Sequence, residues 1–152
     1  MQVETLDDVL KWTSDYHQSL ADRLDHSSGN NESERARLLL DYLSKHEASL
    51  ARTVHESERT AEGKSLNTWC YEYLEKHQLV QRIHFDESFS NLNPAQIMDI
   101  VTDQHNQIIE LYRYLYSRAN IPETKSLLGA LLELEQHEAM QMMQGANRLQ
   151  DI

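Results

Sequence analysis

The sequence predicts an all-α protein in which four long helices form two helical hairpins joined by a long connection. Three observations carry this reading. Glycine and proline are scarce, four and two in 152 residues, so little of the chain is marked for turns. Apolar residues recur at alternating steps of three and four over four long stretches, which is the period of an amphipathic helix. The breaks between those stretches are short, long and short. The outer two leave room only for antiparallel neighbours, whereas residues 62–93 can span the length of a helix.

The first helix is expected over residues 6–26. Thr5 followed by Asp8 has the pattern of an N-cap, and Leu6, Leu10, Thr13, His17, Leu20 and Leu24 mark its apolar stripe. It stops at Ser27-Ser28-Gly29-Asn30-Asn31, a composition that favours turns. Asn31 with Glu34 reads as a capping box for a second helix over 32–61, with the stripe Leu39, Leu43, His46, Leu50 and Val54 and a closing Gly63. In the crossover, residues 66–77 suit a short extra helix carrying Trp69, Tyr73 and Leu74, and 78–92 lose the helical period. Asn93-Pro94-Ala95-Gln96 is the clearest start signal in the chain: a cap, a proline at the first helical position and a capping-box glutamine. The third helix then runs to residue 119 with Met98, Val101, His105, Ile108, Tyr112 and Leu115 on one face. After Asn120-Ile121 the fourth covers 122–149, its stripe read as Leu127, Ala130 or Leu131, Leu134, His137 and Met140. The organisation is therefore one domain: hairpin 6–61, crossover 62–93, hairpin 94–149.

Composition narrows the function. A net charge of −11 opposes binding to nucleic acid or to an anionic membrane surface, both of which attract Lys and Arg. No apolar run approaches the roughly 20 residues that span a bilayer. The first residues lack the basic and apolar regions of a signal peptide, so the expected location is the cytoplasm. Cys70 is the only cysteine, which excludes an internal disulfide and suits a reducing compartment; with no basic or histidine cluster in its sequence, it reads as a structural thiol. There is no glycine-rich phosphate loop and no zinc-type cysteine pair. Met140, Met142 and Met143 read as core and interface filler. No motif names a substrate or a reaction.

Four histidines, one per helix and each within an apolar stripe, are the residues that suggest chemistry: His17, His46, His105 and His137. Converging imidazoles bind iron, zinc or related ions, and Glu133, four residues before His137, adds a carboxylate on the same face. Haem held by two histidines is a further option. Counted from the second turn, His105 and His137 lie at similar depth and are expected to be the closest pair. His17 and His46 differ by about five residues, roughly 7 Å along a helix. The two hairpins also look like copies. Asp15-Tyr16-His17-Gln18 aligns with Asp103-Gln104-His105-Asn106, and Leu40-x-x-Leu43-x-x-His46-Glu47-Ala48 aligns with Leu131-x-x-Leu134-x-x-His137-Glu138-Ala139.

On these residues, and with its long crossover, the chain resembles the ferritin-like superfamily, in particular small rubrerythrin-like members built from two such hairpins. The resemblance implies a ferritin-like four-helix bundle, a metal site in its core, and a redox or stress-related role. Those families place a Glu on the first helix of each hairpin and Glu-x-x-His on the second. His46 and His137 match their histidines. Leu43 and Leu134 stand where the partner glutamates would be, and His17 and His105 stand where the other glutamates would be. The resemblance therefore implies a metal held without the usual bridged pair of irons. Thr102-Asp103-Gln104-His105 followed by Glu135-Gln136-His137-Glu138 is also similar, less closely, to hemerythrin-like domains. The sequence-level function is a small metal-binding bundle using Fe, Zn or Mn. The alternative is a metal-free bundle acting through protein association, such as a homodimer, with Trp12, Trp69, Tyr71, Tyr112, Tyr114 and Tyr116 available for an interface.

Overall fold

Thr5 opens the first helix as the sequence requires. Its hydroxyl accepts from the Asp8 amide, and the Asp8 carboxylate accepts from the Thr5 and Glu4 amides, so donors that the helix leaves orphaned are satisfied. The structure, a computed structural model, describes residues 4–70 and 89–150. Among these residues the chain forms α1 (Leu6–Ser28), α2 (Glu34–Thr60), the single turn α3 (Gly63–Leu66), a 3-10 turn (Phe89–Asn91), α4 (Pro94–Arg118) and α5 (Pro122–Gln150). There is no strand among them, only one isolated bridge between Thr5 and Trp69. The all-α expectation holds.

The helix starts show where local chemistry was read correctly. Asn93 and Gln96 form the reciprocal capping box, with Pro94 at the first helical position. The second helix differs. Its cap is Ser33, whose hydroxyl accepts from Ala36, and the helix starts at Glu34. Asn31 instead donates to the carbonyls of Phe89 and Leu92, and its oxygen accepts from the Ser33 amide. An asparagine can cap a helix or pin a distant loop, and here the buried loop carbonyls take its amide. Gly63 does not close α2, which ends at Thr60 with Ala61 as its C-cap; it begins α3. The extra helix expected over 66–77 is not formed where the chain is described. Leu66 ends α3, and residues 67–70 run alongside the N-terminal segment, with Leu6 N–H donating to Thr68 O and Cys70 N–H to Glu4 O. Pairing with residues 4–6 supplies hydrogen bonds that a helix would otherwise make. Residues 71–77 of that expected helix, and the segment 78–88, lie outside the described residues.

Two apolar clusters fill the interior, one towards each end of the helices. The first contains Leu6, Val9, Leu10, Leu50, Val54, Ile108, Leu111, Tyr112, Leu128 and Leu131. The second contains Leu20, Leu24, Leu39, Leu40, Leu43, Ile97, Val101, Met142 and Ala146. Their membership fixes the direction of every helix. α1 and α5 run from the first cluster to the second, and α2 and α4 run from the second to the first. The end of α2 and the start of α4 therefore lie at opposite ends of the helices, which is why the chain needs a long stretch between them. Side chains cross-link the layers between helices: Ser14 to Ala51 O and Ser44 to Ala21 O (α1–α2), Thr13 to Tyr112 (α1–α4), and Tyr42 to Gln141 O (α2–α5). No helix among the described residues is long and apolar enough to cross a membrane.

Candidate metal centre

Between the two apolar clusters each long helix contributes one ionisable side chain to a common layer: His17 from α1, Glu47 from α2, His105 from α4 and Glu135 from α5. All four are buried, with exposures of 0 to 2 %. They close a ring in which imidazole and carboxylate alternate. His17 Nδ1 lies 2.8 Å from Glu47 Oε2, and His17 Nε2 lies 2.7 Å from Glu135 Oε1. His105 Nε2 bonds the other oxygen of Glu47. The fourth edge is open: His105 Nδ1 and Glu135 Oε2 are 3.4 Å apart, within ion-pair range but without hydrogen-bond geometry, and neither atom has a hydrogen-bond partner. The two imidazoles face one another with ring centroids 5.3 Å apart.

The electrostatics follow from this pairing. Burial alone disfavours charge on His17, but the carboxylates of Glu135 and Glu47 outweigh it and raise its pKa to about 9. His105, under the same opposition of burial to Glu47 and Glu135, is raised to about 10. Burial pushes Glu47 upward, yet His105 and His17 draw it down to about 2, and Glu135 is lowered against the same penalty by His17 and His105. Two imidazolium ions and two carboxylates thus make a layer of zero net charge, the arrangement in which buried charge is tolerable. Aromatic rings wall it. Tyr16 meets His17 edge-on with Trp12 stacked behind it, and Tyr112 bonds Thr13 at 2.7 Å. Burial and the neighbouring glutamates push the Tyr16 and Tyr112 hydroxyls upward, so both stay protonated.

Among the residues singled out in the sequence, the structure brings together His17 and His105. His46 lies at the margin, partly exposed, 3.2 Å from Glu138 and against the Tyr42 ring. His137 and Glu133 are exposed and outside the centre, so the expected closest pair, His105 and His137, does not form. The reason is helical phase. The buried face of α5 is Thr124, Leu128, Leu131, Glu135, Met142 and Ala146, which turns residues 133 and 137 away, and Met140 and Met143 with them. The depth argument fails for a related reason. His105 precedes the end of α4 by as many residues as Glu135 follows the start of α5, so these two are level. In the first hairpin, residues 29–33 belong to the turn, and His17 and Glu47 differ in depth by only two residues.

Glu47 and Glu135 escape the sequence pattern as members of the layer because charged side chains are seldom buried unless they are paired. A signal was present. His17 and Glu47 are 30 residues apart, and His105 and Glu135 have the same interval. Matching His46-Glu47-Ala48 to His137-Glu138-Ala139 aligned the second helices three residues out of the register that the first helices use.

The donor set fits a cation. His17, Glu47 and His105 each offer a ligand atom within 4.8 Å of one another, and Glu135 contacts both histidines. Two imidazole nitrogens and carboxylate oxygens suit zinc, iron or manganese. A metal needs unprotonated imidazole nitrogen, and the bonded edges of 2.7 and 2.8 Å are shorter than the separation of about 3.3–3.5 Å between ligand atoms on a tetrahedral ion. An ion there would therefore take the place of ring protons. Cys70 is buried in the first apolar cluster and its thiol is pushed up to about 12 by burial, so it supplies no thiolate. No family model, curated protein or solved structure matches the chain, so the reading of this centre rests on its own geometry.

Proposed function

We propose that this protein is a small metal-binding helical bundle of ferritin-like arrangement, in which His17, Glu47, His105 and Glu135 hold one divalent transition-metal ion. The observation that carries the proposal is a layer of four ionisable side chains, one per long helix, fully buried and in mutual contact. An apolar layer of the same volume would stabilise the fold at least as well, so retaining four buried charges asks for a use. The opposite placement of the α2 end and the α4 start supports the arrangement, since it is what one long crossover between two hairpins requires. Bound iron or manganese would supply one-electron chemistry, and zinc Lewis acidity. The chain's own part is to set the donors on four rigid helices and to exclude water with the apolar layers on either side. Leu43 is buried, and among the described residues the buried carboxylate residues are Glu47 and Glu135, which supports one ion rather than a bridged pair.

Elemental analysis of protein purified without a histidine tag tests this. Near-stoichiometric iron, zinc or manganese, as purified or after reconstitution, is the expected result. A specific observation favours a second reading. Three edges of the ring are already hydrogen-bonded, so the layer can serve as a metal-free ion-pair lock in a bundle that acts through association. Absence of metal after reconstitution with all three ions selects that reading.

A further inference from the structure

The four side chains of the buried layer are 0 to 2 % exposed, so an ion bound there must pass between two helices. Three of the seams are poorly suited to a cation. Between α1 and α2, Ser14 and Ser44 bond carbonyls of the facing helix. Thr13 and Tyr112 close the seam between α1 and α4. Between α4 and α5 a groove touches His105, but Met98, Met142, Val101 and Ile109 make up much of its wall. Aliphatic groups are not ligands and thioethers are soft ones, so a hydrated dication finds little there to exchange for its water. The seam between α2 and α5 differs. His46 Nδ1 lies 3.2 Å from Glu138 Oε2 across it, and Tyr42 donates to Gln141 O beside them. α2 and α5 run in opposite directions. One residue back from Glu47 and three residues on from Glu135 therefore lead the same way, towards the second apolar cluster. His46 and Glu138 thus meet within one helical turn of the layer, about 4.5 Å along α5. Their side chains are 28 % and 20 % exposed, whereas those of Glu47 and Glu135 are fully buried.

We propose that metal ions enter and leave the centre through the α2–α5 seam, taken first by Glu138 and His46 and then handed to Glu135 and Glu47. The inference rests on the metal reading and adds a route to it. Both carboxylates of the layer belong to the two helices that form this seam, so ligand groups step from solvent to the interior on one side of the bundle. A dication that exchanges water for Glu138 and His46 keeps a ligand at each step and never crosses an apolar layer bare. Opening this side needs only two side chains to turn, since a part-exposed pair at 3.2 Å is weakly held. The other seams would require packed helices to part.

Stopped-flow mixing of the metal-free full chain with Co(II), followed by visible absorption, tests the route, and transfer of the bound ion to excess chelator reads release. Glu138→Gln keeps the volume and a hydrogen-bonding group but loses the charge that captures the cation. It should slow loading about five- to tenfold. Release should slow as well, with the final absorption unchanged, because a residue of the route acts in both directions whereas loss of a ligand speeds release. His46→Phe, which puts an apolar ring in the seam, should also slow both. Glu133→Gln removes the same charge from the exposed face of α5 and should leave both rates within about twofold. Asn106→Trp, at an exposed residue lining the α4–α5 groove, should likewise leave them unchanged. Circular dichroism establishes that each variant is folded. Unchanged rates in Glu138→Gln and His46→Phe, faster release in either, or slowing by Asn106→Trp instead would each overturn the route, while saturable Co(II) absorption in wild type leaves the metal reading standing. Absence of saturable absorption in wild type would overturn both.

Discussion

Replacing Glu47 by Gln changes one charge and almost no volume, which makes it the cleanest perturbation of the buried layer. In the native ring the two Glu47 oxygens accept from both histidines. A glutamine keeps one acceptor and turns the other into an NH2 group facing a ring N–H. The layer can stay neutral only if one imidazole gives up its proton and accepts from the amide. Two charge-assisted bonds become neutral ones, at a cost of roughly 1–1.5 kcal/mol each, so Glu47→Gln should lose about 2–3 kcal/mol. Glu47→Leu, which leaves both imidazoles facing an apolar wall, should lose about 3–5 kcal/mol. For a chain of this size, the glutamine value corresponds to a fall in Tm of about 4–12 °C. Urea unfolding followed by circular dichroism, in chelator at neutral pH, reads the difference as a shifted midpoint at constant slope. A loss below about 0.5 kcal/mol for Glu47→Gln would refute the charged ring, because that is the range of substitutions that touch nothing.

Three further outcomes follow from the same structure. His17 and His105, raised from 6.5 to about 9 and about 10, contribute stability that is complete below pH 6.5 and is lost as pH rises through 9 to 10. Glu47 and Glu135, lowered from 4.5, contribute stability that is complete above pH 4.5 and is lost in strong acid, for Glu47 through about pH 2. The metal-free protein should thus be most stable at pH 4.5–6.5, and a denaturant midpoint that stays flat from pH 6 to 10 would contradict the pairing. Gly145 lies under the Tyr42 hydroxyl, where an added methyl would overlap the ring. Gly145→Ala should cost about 1–3 kcal/mol in urea unfolding, with Gly145→Ala/Tyr42→Phe no better because the overlap includes ring carbons. Asn31→Ala removes the donor to the Phe89 and Leu92 carbonyls and should cost about 1–3 kcal/mol; an unchanged midpoint would show that this anchor does not hold.

Much of the fold was legible because it is written in short-range chemistry. Thr5 with Asp8, and Asn93 with Pro94 and Gln96, mark helix starts by side chains that answer backbone donors within one turn. The apolar stripes of α1 and α4 were in phase, which is why His17 and His105 were placed inward. The failures share a cause in tertiary context. Asn31 could bond its own helix or a loop far along the chain, and nothing local chooses between them. In α2 the phase through Ala36, Leu40, Leu43, Glu47, Ala51 and Val54 fits as well as one through His46; only contact with two buried imidazoles makes the glutamate the inner residue. In α5 the rich run Glu133-Leu134-Glu135-Gln136-His137-Glu138 offers several faces, and packing against α4 selects the one carrying Glu135. A residue's type gave the wrong vote there, because a carboxylate is expected outside unless its partner is already known.

The central claim is that one metal is held by His17, Glu47, His105 and Glu135, and an optical titration with Co(II) tests it most directly. In metal-free wild-type protein, visible ligand-field absorption should grow and saturate at one ion per chain. It should be lost or strongly weakened in Glu135→Gln and His105→Asn, each shown to be folded by circular dichroism. It should be unchanged in His137→Ala and Glu133→Ala, whose side chains lie on the exposed face of α5. Saturation that survives Glu135→Gln and His105→Asn but is lost in His137→Ala, or absence of any saturable absorption in wild type, would contradict it.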